Sequence, residues 1–269
     1  MTLTAISKIT RGVARPDLLA AVADEISHVE EELDRRVGSH VRLAEEVARQ
    51  TLRAGGKRLR PAFVGLAAAA TGRRYEKRRT RAIGACLEMI HMATLVHDDV
   101  IDESPVRRGV PTAATVFGNS AAILSGDVLL AKAMVALAED GDLEVIRTVS
   151  ASVERMALGE VRELEVRGDF DLTEKAHTEV LRLKTAAFIE ACLESGAIIA
   201  GASPNVREAL RLYGDRIGLA FQIVDDLLDY RGDKAKTGKP IGTDFRDGQA
   251  TLPLIHLREK LSPAEEEIV

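Results

Sequence analysis

An all-α fold is predicted by three features of the sequence: its composition, its apolar periodicity and the absence of strand signals. Ala, Leu, Glu and Arg, which carry the best intrinsic helix propensities, abound. Strand-favouring aromatics are scarce, with no Trp, three Tyr and six Phe. Apolar residues recur at spacings of three and four over long stretches, and no segment holds a convincing period of two. The Gly- and Pro-containing breaks are too short to be linkers. Residues 1–269 therefore read as one helical domain, with 1–15 a loosely tied arm.

Taken in order, Pro16 opens a helix that reaches about Val37, with Leu18, Leu19, Val22, Ile26, Val29 and Leu33 on its apolar side. Gly38-Ser39 ends it, and a second helix runs from about Val41 to Leu52. Gly55-Gly56-Lys57-Arg58-Leu59-Arg60-Pro61 follows. The glycines allow close approach of a ligand to the backbone, and Pro61 suits the first turn of a helix that runs to Ala70. Lys57, Arg58 and Arg60 at a helix N-terminus suit an anion, although an ordinary basic loop has the same composition.

Glu76 to Asp102 is apolar nearly all round, as a central helix is. It ends in His97-Asp98-Asp99-Val100-Ile101-Asp102-Glu103. Asp98 and Asp102 are four apart and so lie one turn from each other on one face. Such carboxylates repel unless a cation sits between them. His91, two turns earlier, lies on roughly the same face. Ser104 to Pro111 holds two prolines and a glycine, so Arg107 and Arg108 fall on a loop just past the acidic turn.

Helices are then predicted over Ser120–Ala138, which contains the polar pair Gly126-Asp127, and from Leu143 to about Val166. Thr173 is the N-cap of a helix reaching about Gly201, with Lys184-Thr185 inside it. Ser203-Pro204 starts a helix ending near Tyr230. It carries Gln222 and a second acidic set, Asp225, Asp226 and Asp229. Arg231 to Gln249 reads as a mobile loop, and Thr251–Lys260 as a helix. Ser262-Pro263-Ala264-Glu265 is a capping box, so a further C-terminal helical portion is expected to be missing from this sequence.

Several function classes are disfavoured. A net charge of -5 argues against a dedicated nucleic-acid binder. Cys86 and Cys192 lie in apolar helical runs, which implies no disulfide framework and suits a reducing cytosol. No apolar run is read as reaching the ~18 residues of a transmembrane segment, and no signal-peptide core is evident. A cytoplasmic protein is expected. The aspartates sit on helices, not in a 12-residue EF-hand loop, and His and Cys lack zinc spacing. Two acidic clusters on very apolar helices, with basic loops nearby, instead match magnesium shared with a substrate diphosphate whose remaining part is hydrocarbon. There is no nucleophile triad. Loss of diphosphate would leave an allylic carbocation that dry walls protect from water.

At this point a resemblance is plain. GGKRLRP from Gly55, MIHMATLVHDDVIDESPVRRG, ILSGDVLLAKA, RLKTA, FQIVDDLLDYRGD and TGKPIGTDFRDGQATLPL stand in family order. The sequence resembles the trans-isoprenyl diphosphate synthases of the polyprenyl synthetase family over nearly its whole length. That resemblance implies a bundle of antiparallel helices around a deep central cavity, the isoprenoid synthase type, usually as a homodimer. It implies head-to-tail condensation of isopentenyl diphosphate with an allylic diphosphate. By matching positions, Asp98, Asp99, Asp102, Asp225, Asp226 and Asp229 would hold magnesium, three ions with substrate bound, with Asp98, Asp102 and Asp225 as direct ligands. Arg107, Lys184, Thr185, Gln222 and Lys239 would hold the allylic diphosphate, and Lys57, Arg60, His91 and Arg108 isopentenyl diphosphate. Asp98, Asp99, Asp102, Asp225, Lys184 and Lys239 form the implied catalytic set. The departing diphosphate would accept the proton. Gln249 departs from the pattern, standing where many members carry Lys.

Product length follows from the helix behind Asp98. Thr94 and Ala93, then Ile90, then Leu87 line the way back. Short-chain members place an aromatic plug in the near turn, whereas here it is small. The expectation is a long-chain all-trans polyprenyl diphosphate, released with peripheral membrane contact. The competing readings are a geranylgeranyl or farnesyl diphosphate synthase, a non-catalytic subunit of a heteromeric synthase, and a helical terpene cyclase.

Overall fold

The structure, a computed structural model, describes residues 16–231, 242–258 and 260–261. The expected arm over 1–15, the capping box at 262–265 and Lys239 lie outside them. The described chain is helical apart from one two-residue ladder. In order it forms α1 (Pro16–Val37), α2 (Arg42–Arg53), α3 (Leu59–Ala70), α4 (Lys77–Ile101), β1 (Val106–Arg107), β2 (Val110–Pro111), α5 (Ala113–Phe117) and α6 (Asn119–Asp140). Then come α7 (Leu143–Val166), α8 (Glu174–Leu181), a π-helical turn (Arg182–Ala186), α9 (Ala187–Ile199), α10 (Pro204–Arg231), α11 (Thr243–Arg246) and α12 (Leu252–Arg258). It divides into two compact units: residues 1–149 with 192–210, and residues 150–191 with 211–269.

In the first unit α4 is the central helix. Ile83, Cys86, Leu87, Met89, Ile90 and Val96 are all buried, as an all-round apolar helix requires. It packs against α6, α3 and α1. Its N-terminal end is held by Arg79, which donates from Nε to Asp140 Oδ1 at 2.6 Å and from Nη2 to Asp142 Oδ2 at 2.6 Å. The Asp140-Gly141-Asp142 break that ends α6 is therefore also an anchor. α6 is long and apolar enough, by length and composition alone, to cross a membrane. That corrects the expectation that no such run exists; the helix holds Asp127 and Lys132, yet is apolar enough over its length. Its Ala122, Gly126, Leu129, Ala133 and Leu137 face are buried as in a soluble core helix.

The second unit is built on α8, the π turn and the parts of α7, α9 and α10 within it. Thr173 caps α8, its hydroxyl accepting from the Ala176 amide at 3.2 Å. The helix predicted to continue unbroken to Gly201 is interrupted at Arg182–Ala186, and the helical run ends at Ile199. Periodicity does not reveal such a wide turn, because the residues on either side remain helical. Two glycines meet this turn. A Cβ on Gly159 would lie 2.6 Å from the Lys184 amide nitrogen, and one on Gly218 would lie 2.5 Å from the Ala186 Cα. Neither position tolerates a side chain without displacing backbone. Two short elements were not anticipated, α5 and α11, which are too short to show a period.

Candidate functional site

α4 ends with its acidic turn at a helix C-terminus, where the backbone already carries negative partial charge. Asp98 lies in the last turn, and Asp102 is the C-cap, its amide donating to the Asp98 carbonyl at 2.8 Å. This placement raises electrostatic energy unless a cation offsets it. Asp99 behaves differently. It is buried, and its Oδ1 accepts from Arg107 Nε at 2.6 Å. Burial pushes its carboxyl up, against the pull of Arg107. In this structure Arg107 is engaged with Asp99, so the acidic turn presents Asp98 and Asp102 while the middle aspartate ties the turn to the following hairpin.

That hairpin pairs Val106 with Pro111 and Arg107 with Val110, in a stretch expected to be plain loop. Its two central residues, Arg108 and Gly109, have φ of 53° and 80°, the double left-handed turn that matches strand twist. It directs Arg108 back to the glycine loop, where Nη1 donates to the Gly55 carbonyl. His97, beside Asp98, also has a made seat. Gly126 leaves room for its ring, since a Cβ there would lie 2.4 Å from Nε2, which stands 3.1 Å from the Ile123 carbonyl oxygen and 3.4 Å from Asp127 Oδ1. The Gly126-Asp127 pair, visible in the sequence without a role, steadies the end of α4 against α6.

The glycine loop and the start of α3 gather cations. Arg58 is the N-cap of α3 with φ of 50° and is buried. It donates to Glu88 Oε1 at 3.0 Å, to the Leu52 carbonyl at 3.1 Å and to Glu30 Oε1 at 3.4 Å. Arg58 thus supports the loop, while Lys57 before it is exposed and Arg60 after it is drawn inward, burial pulling its guanidinium below its ordinary value. His91 sits among these charges. Burial first, then Arg60, Arg108, Arg107 and Arg58, hold its imidazole well below its ordinary value, so it is neutral at pH 7. The neutral form is favoured in the fold, so as pH falls the unfolded chain takes the proton first. The stability this supplies is complete above about pH 6.5, the ordinary His value, and is lost as pH drops toward the lower folded value. Denaturant melts at pH 7.5 and 5.5 are expected to show a larger acid loss for the parent than for His91→Gln.

In the second unit the aspartates of α10 again divide. Asp225 is exposed. Asp226 is buried and accepts from His177 Nε2 at 2.8 Å. Asp229 receives the α11 entrance: its Oδ1 accepts from the Thr243 amide at 3.1 Å, its Oδ2 from the Asp244 amide at 3.2 Å, and its carbonyl from the Gly242 amide at 2.9 Å. Gln222 lies one turn before Asp225, partly buried. Lys184 is on the π turn with Thr185 after it, and its Nζ pairs with Glu163 at 2.6 Å and Glu160 at 3.0 Å. Burial alone would lower the Lys184 ammonium, yet the two glutamates carry it above the ordinary lysine value.

The first unit therefore brings together Arg60, His91 and Arg108, with Lys57 exposed on the glycine loop, and places Asp98, Asp99, Asp102 and Arg107 at the end of the helix that carries Leu87, Ile90, Ala93 and Thr94. The second holds Lys184, Thr185, Gln222, Asp225, Asp226 and Asp229. Sequence reading missed Glu30 and Glu88, which hold Arg58, as well as His177, Glu160 and Glu163. Only Glu88, a charge inside the apolar run of α4, gave a signal that could have been used. Asp98 and Asp102 offer oxygen donors alone, which fits a hard divalent cation completed by water and substrate oxygens. Among the described residues no three His, Cys, Asp or Glu side chains form a ready metal group, so the carboxylates by themselves are no cage.

An all-helical chain with aspartate turns at its helix ends and a guanidinium-lined glycine loop defines a protein of the isoprenoid synthase class. Residues 41–269 match the polyprenyl synthetase family. Octaprenyl diphosphate synthase of Escherichia coli (strain K12) is 38% identical over 247 residues, which are 92% of this chain and 76% of that protein. The crystal structure of a decaprenyl diphosphate synthase from Rhodobacter capsulatus superposes with a TM-score of 0.87 at 39% identity, covering 93% of this chain and 77% of that one. A polyprenyl synthase from Caulobacter crescentus CB15, complexed with calcium and isoprenyl diphosphate, gives a TM-score of 0.85 at 37% identity, covering 93% and 76%. The chain belongs to the polyprenyl synthetase family.

Proposed function

We propose that this protein is a trans-prenyl diphosphate synthase that condenses isopentenyl diphosphate head to tail with an allylic diphosphate and extends it to a long all-trans polyprenyl diphosphate. The observation that carries the reading is the acidic turn Asp98–Asp102 at the end of a buried apolar helix that also carries neutral His91 among Arg60, Arg108, Arg107 and Arg58. The long-chain relatives support it. The divalent cation and isoprenyl diphosphate in the Caulobacter relative support a metal-dependent diphosphate site.

Asp98, Asp102 and Asp225 would hold magnesium, which when bound supplies charge neutralisation to a departing diphosphate. Arg60, Arg108 and Lys57 would hold the diphosphate of isopentenyl diphosphate, with His91 as a neutral hydrogen-bonding group. Lys184, Thr185, Gln222, Lys239 and Arg107 would hold the allylic diphosphate. Asp99 would act by orienting Arg107. The C1–O bond of the allylic substrate breaks, the double bond of isopentenyl diphosphate attacks C1, and the departed diphosphate takes the proton. The apolar flank of α4 keeps water from the cation. Exposed Ile123, Leu124 and Val135 on α6 give a second copy of the chain an apolar face to cover, consistent with a homodimer.

Incubation with isopentenyl diphosphate, magnesium and allylic primers, followed by product sizing, tests the reading. Products longer than 20 carbons are expected. Absence of any condensation, with activity restored by a partner protein, would favour a subunit role. From Asp98 back to Leu87 the helix runs about 16 Å, past Ala93 and Ile90, both buried. Replacing Ala93 by Phe is expected to shorten the product by several isoprene units. Products of unchanged length would show that this flank does not set the limit.

A further inference from the structure

His177 lies outside the motifs that carry the family resemblance, yet it contacts Asp226, the middle aspartate of the second acidic set, and both side chains are buried. α10 meets the α8–π–α9 segment at a row of positions four apart. A Cβ on Gly214 would lie 2.7 Å from the Glu190 Cα, and one on Gly218 would lie 2.5 Å from the Ala186 Cα. The same row, continued by fours, passes through Gln222 and arrives at Asp226, which His177 holds at 2.8 Å. Contacts ascend along α10 as they descend along the facing segment, so the two run antiparallel. The glycine end fixes how closely they approach. A glycine contact does not by itself fix rotation about the helix axis, because it offers no directional bond. At the cluster end of α10 the His177–Asp226 hydrogen bond does, and it sits one residue from Asp225.

Asp226 lies about 100° around the helix from Asp225. Drawing its carboxylate inward therefore turns Asp225 and Gln222 to a fixed azimuth. His177 is also seven residues, about two turns, before Lys184. Arg182 Nε donates to Asp215 Oδ1 at 3.2 Å and Arg211 Nη1 to Glu190 Oε2 at 2.9 Å further back along α10, but the His177 bond is the one beside Asp225, and it joins the segment that presents Lys184 and Thr185 to the end of the helix that presents Asp225.

We propose that His177 is a positioning residue for the second aspartate cluster, holding Asp226 so that α10 presents Asp225 in register with Lys184. This rests on the prenyl diphosphate synthase reading. The test uses the full chain and three variants. His177→Phe keeps bulk and removes the donor, His177→Gln places an amide nitrogen near the position of Nε2, and His177→Asn keeps a donor that falls short of Asp226. Binding of manganese(II) is followed by electron paramagnetic resonance in the presence of inorganic diphosphate. Partners that orient metal-holding groups typically contribute about 10–100-fold in metal affinity. His177→Phe is expected to weaken manganese–diphosphate binding at least about tenfold, and to raise KM for the allylic diphosphate while leaving KM for isopentenyl diphosphate within about twofold. His177→Gln is expected to recover most of both losses. Parent-like manganese binding in folded His177→Phe, or a His177→Gln variant as impaired as the Phe variant, would overturn the proposal. If His177→Phe does not fold, His177→Asn takes its place with the same two outcomes. Failure of the parent to lengthen any primer would overturn the functional reading instead, and the manganese measurement would still decide the role of His177.

Discussion

Replacing Asp98 by Asn is expected to lower kcat by about a thousandfold, roughly 4 kcal/mol of transition-state stabilisation, without unfolding the protein. The substitution keeps volume and hydrogen-bonding capacity, so α4 has no packing reason to change. It removes one of three aspartate carboxylates at a helix C-terminus, where negative charge is unfavourable by roughly 0.3–1 kcal/mol. Tm is therefore expected to stay level or rise by about 1–4 °C while activity collapses. Those opposite signs are diagnostic, because a residue kept for stability would lose both together. Asp99→Asn should behave in the other way. Asp99 is buried against Arg107, so neutralising it leaves that guanidinium with a weaker partner and lowers Tm. Activity measurements across magnesium concentrations, together with thermal melts of both variants, check the pair. An Asp98→Asn enzyme within about tenfold of the parent would mean that the carboxylate does not act on the reaction.

The same two aspartates show where sequence reading stops. That Asp98 and Asp102 share a face follows from helical spacing alone, as does the seclusion of α4 from its apolar run. The inward turn of Asp99 does not, because its partner is eight residues away on a hairpin whose register depends on two left-handed residues, Arg108 and Gly109. Helix bounds were legible wherever Pro, Gly or a capping Thr punctuates the chain: Pro16, Thr173 and Pro204 all mark starts. The π turn was not legible, since the extra residue it accommodates is set by glycines on two other helices, Gly159 and Gly218. The basic loop was read as an anion site or an ordinary loop with equal weight. It takes Glu88, a full helix away in sequence, to show that Arg58 is a support for that loop. Long-range pairs of this kind leave no periodic trace, so they are where reading one chain fails first.

Glu88 is accordingly where the second large effect is expected. It is a carboxylate on the central helix of the first unit, 3% exposed, facing Arg58, which is 5% exposed. Breaking a buried pair by removing one charge typically costs about 3–5 kcal/mol, because the remaining charge keeps its desolvation penalty and loses its partner. Glu30 does not replace it, being more exposed and 3.4 Å away. Glu88 Oε2 is buried without a hydrogen-bond partner, and in Glu88→Gln either the amide oxygen or the amide nitrogen must take that place. If the nitrogen instead faces Arg58, two donors confront each other. Glu88→Gln is thus expected to lower stability by about 3–5 kcal/mol, a fall in Tm of roughly 6–20 °C for a chain of this size. The variant also leaves Arg58, Arg60 and Arg108 less compensated, so a bound anion relieves more repulsion than in the parent. Added inorganic diphosphate is expected to restore more Tm to Glu88→Gln than it adds to the parent. A fall in Tm below about 3 °C would mean that Arg58 does not depend on Glu88. Equal diphosphate-induced shifts would mean that the guanidinium cluster and the buried pair are electrostatically independent.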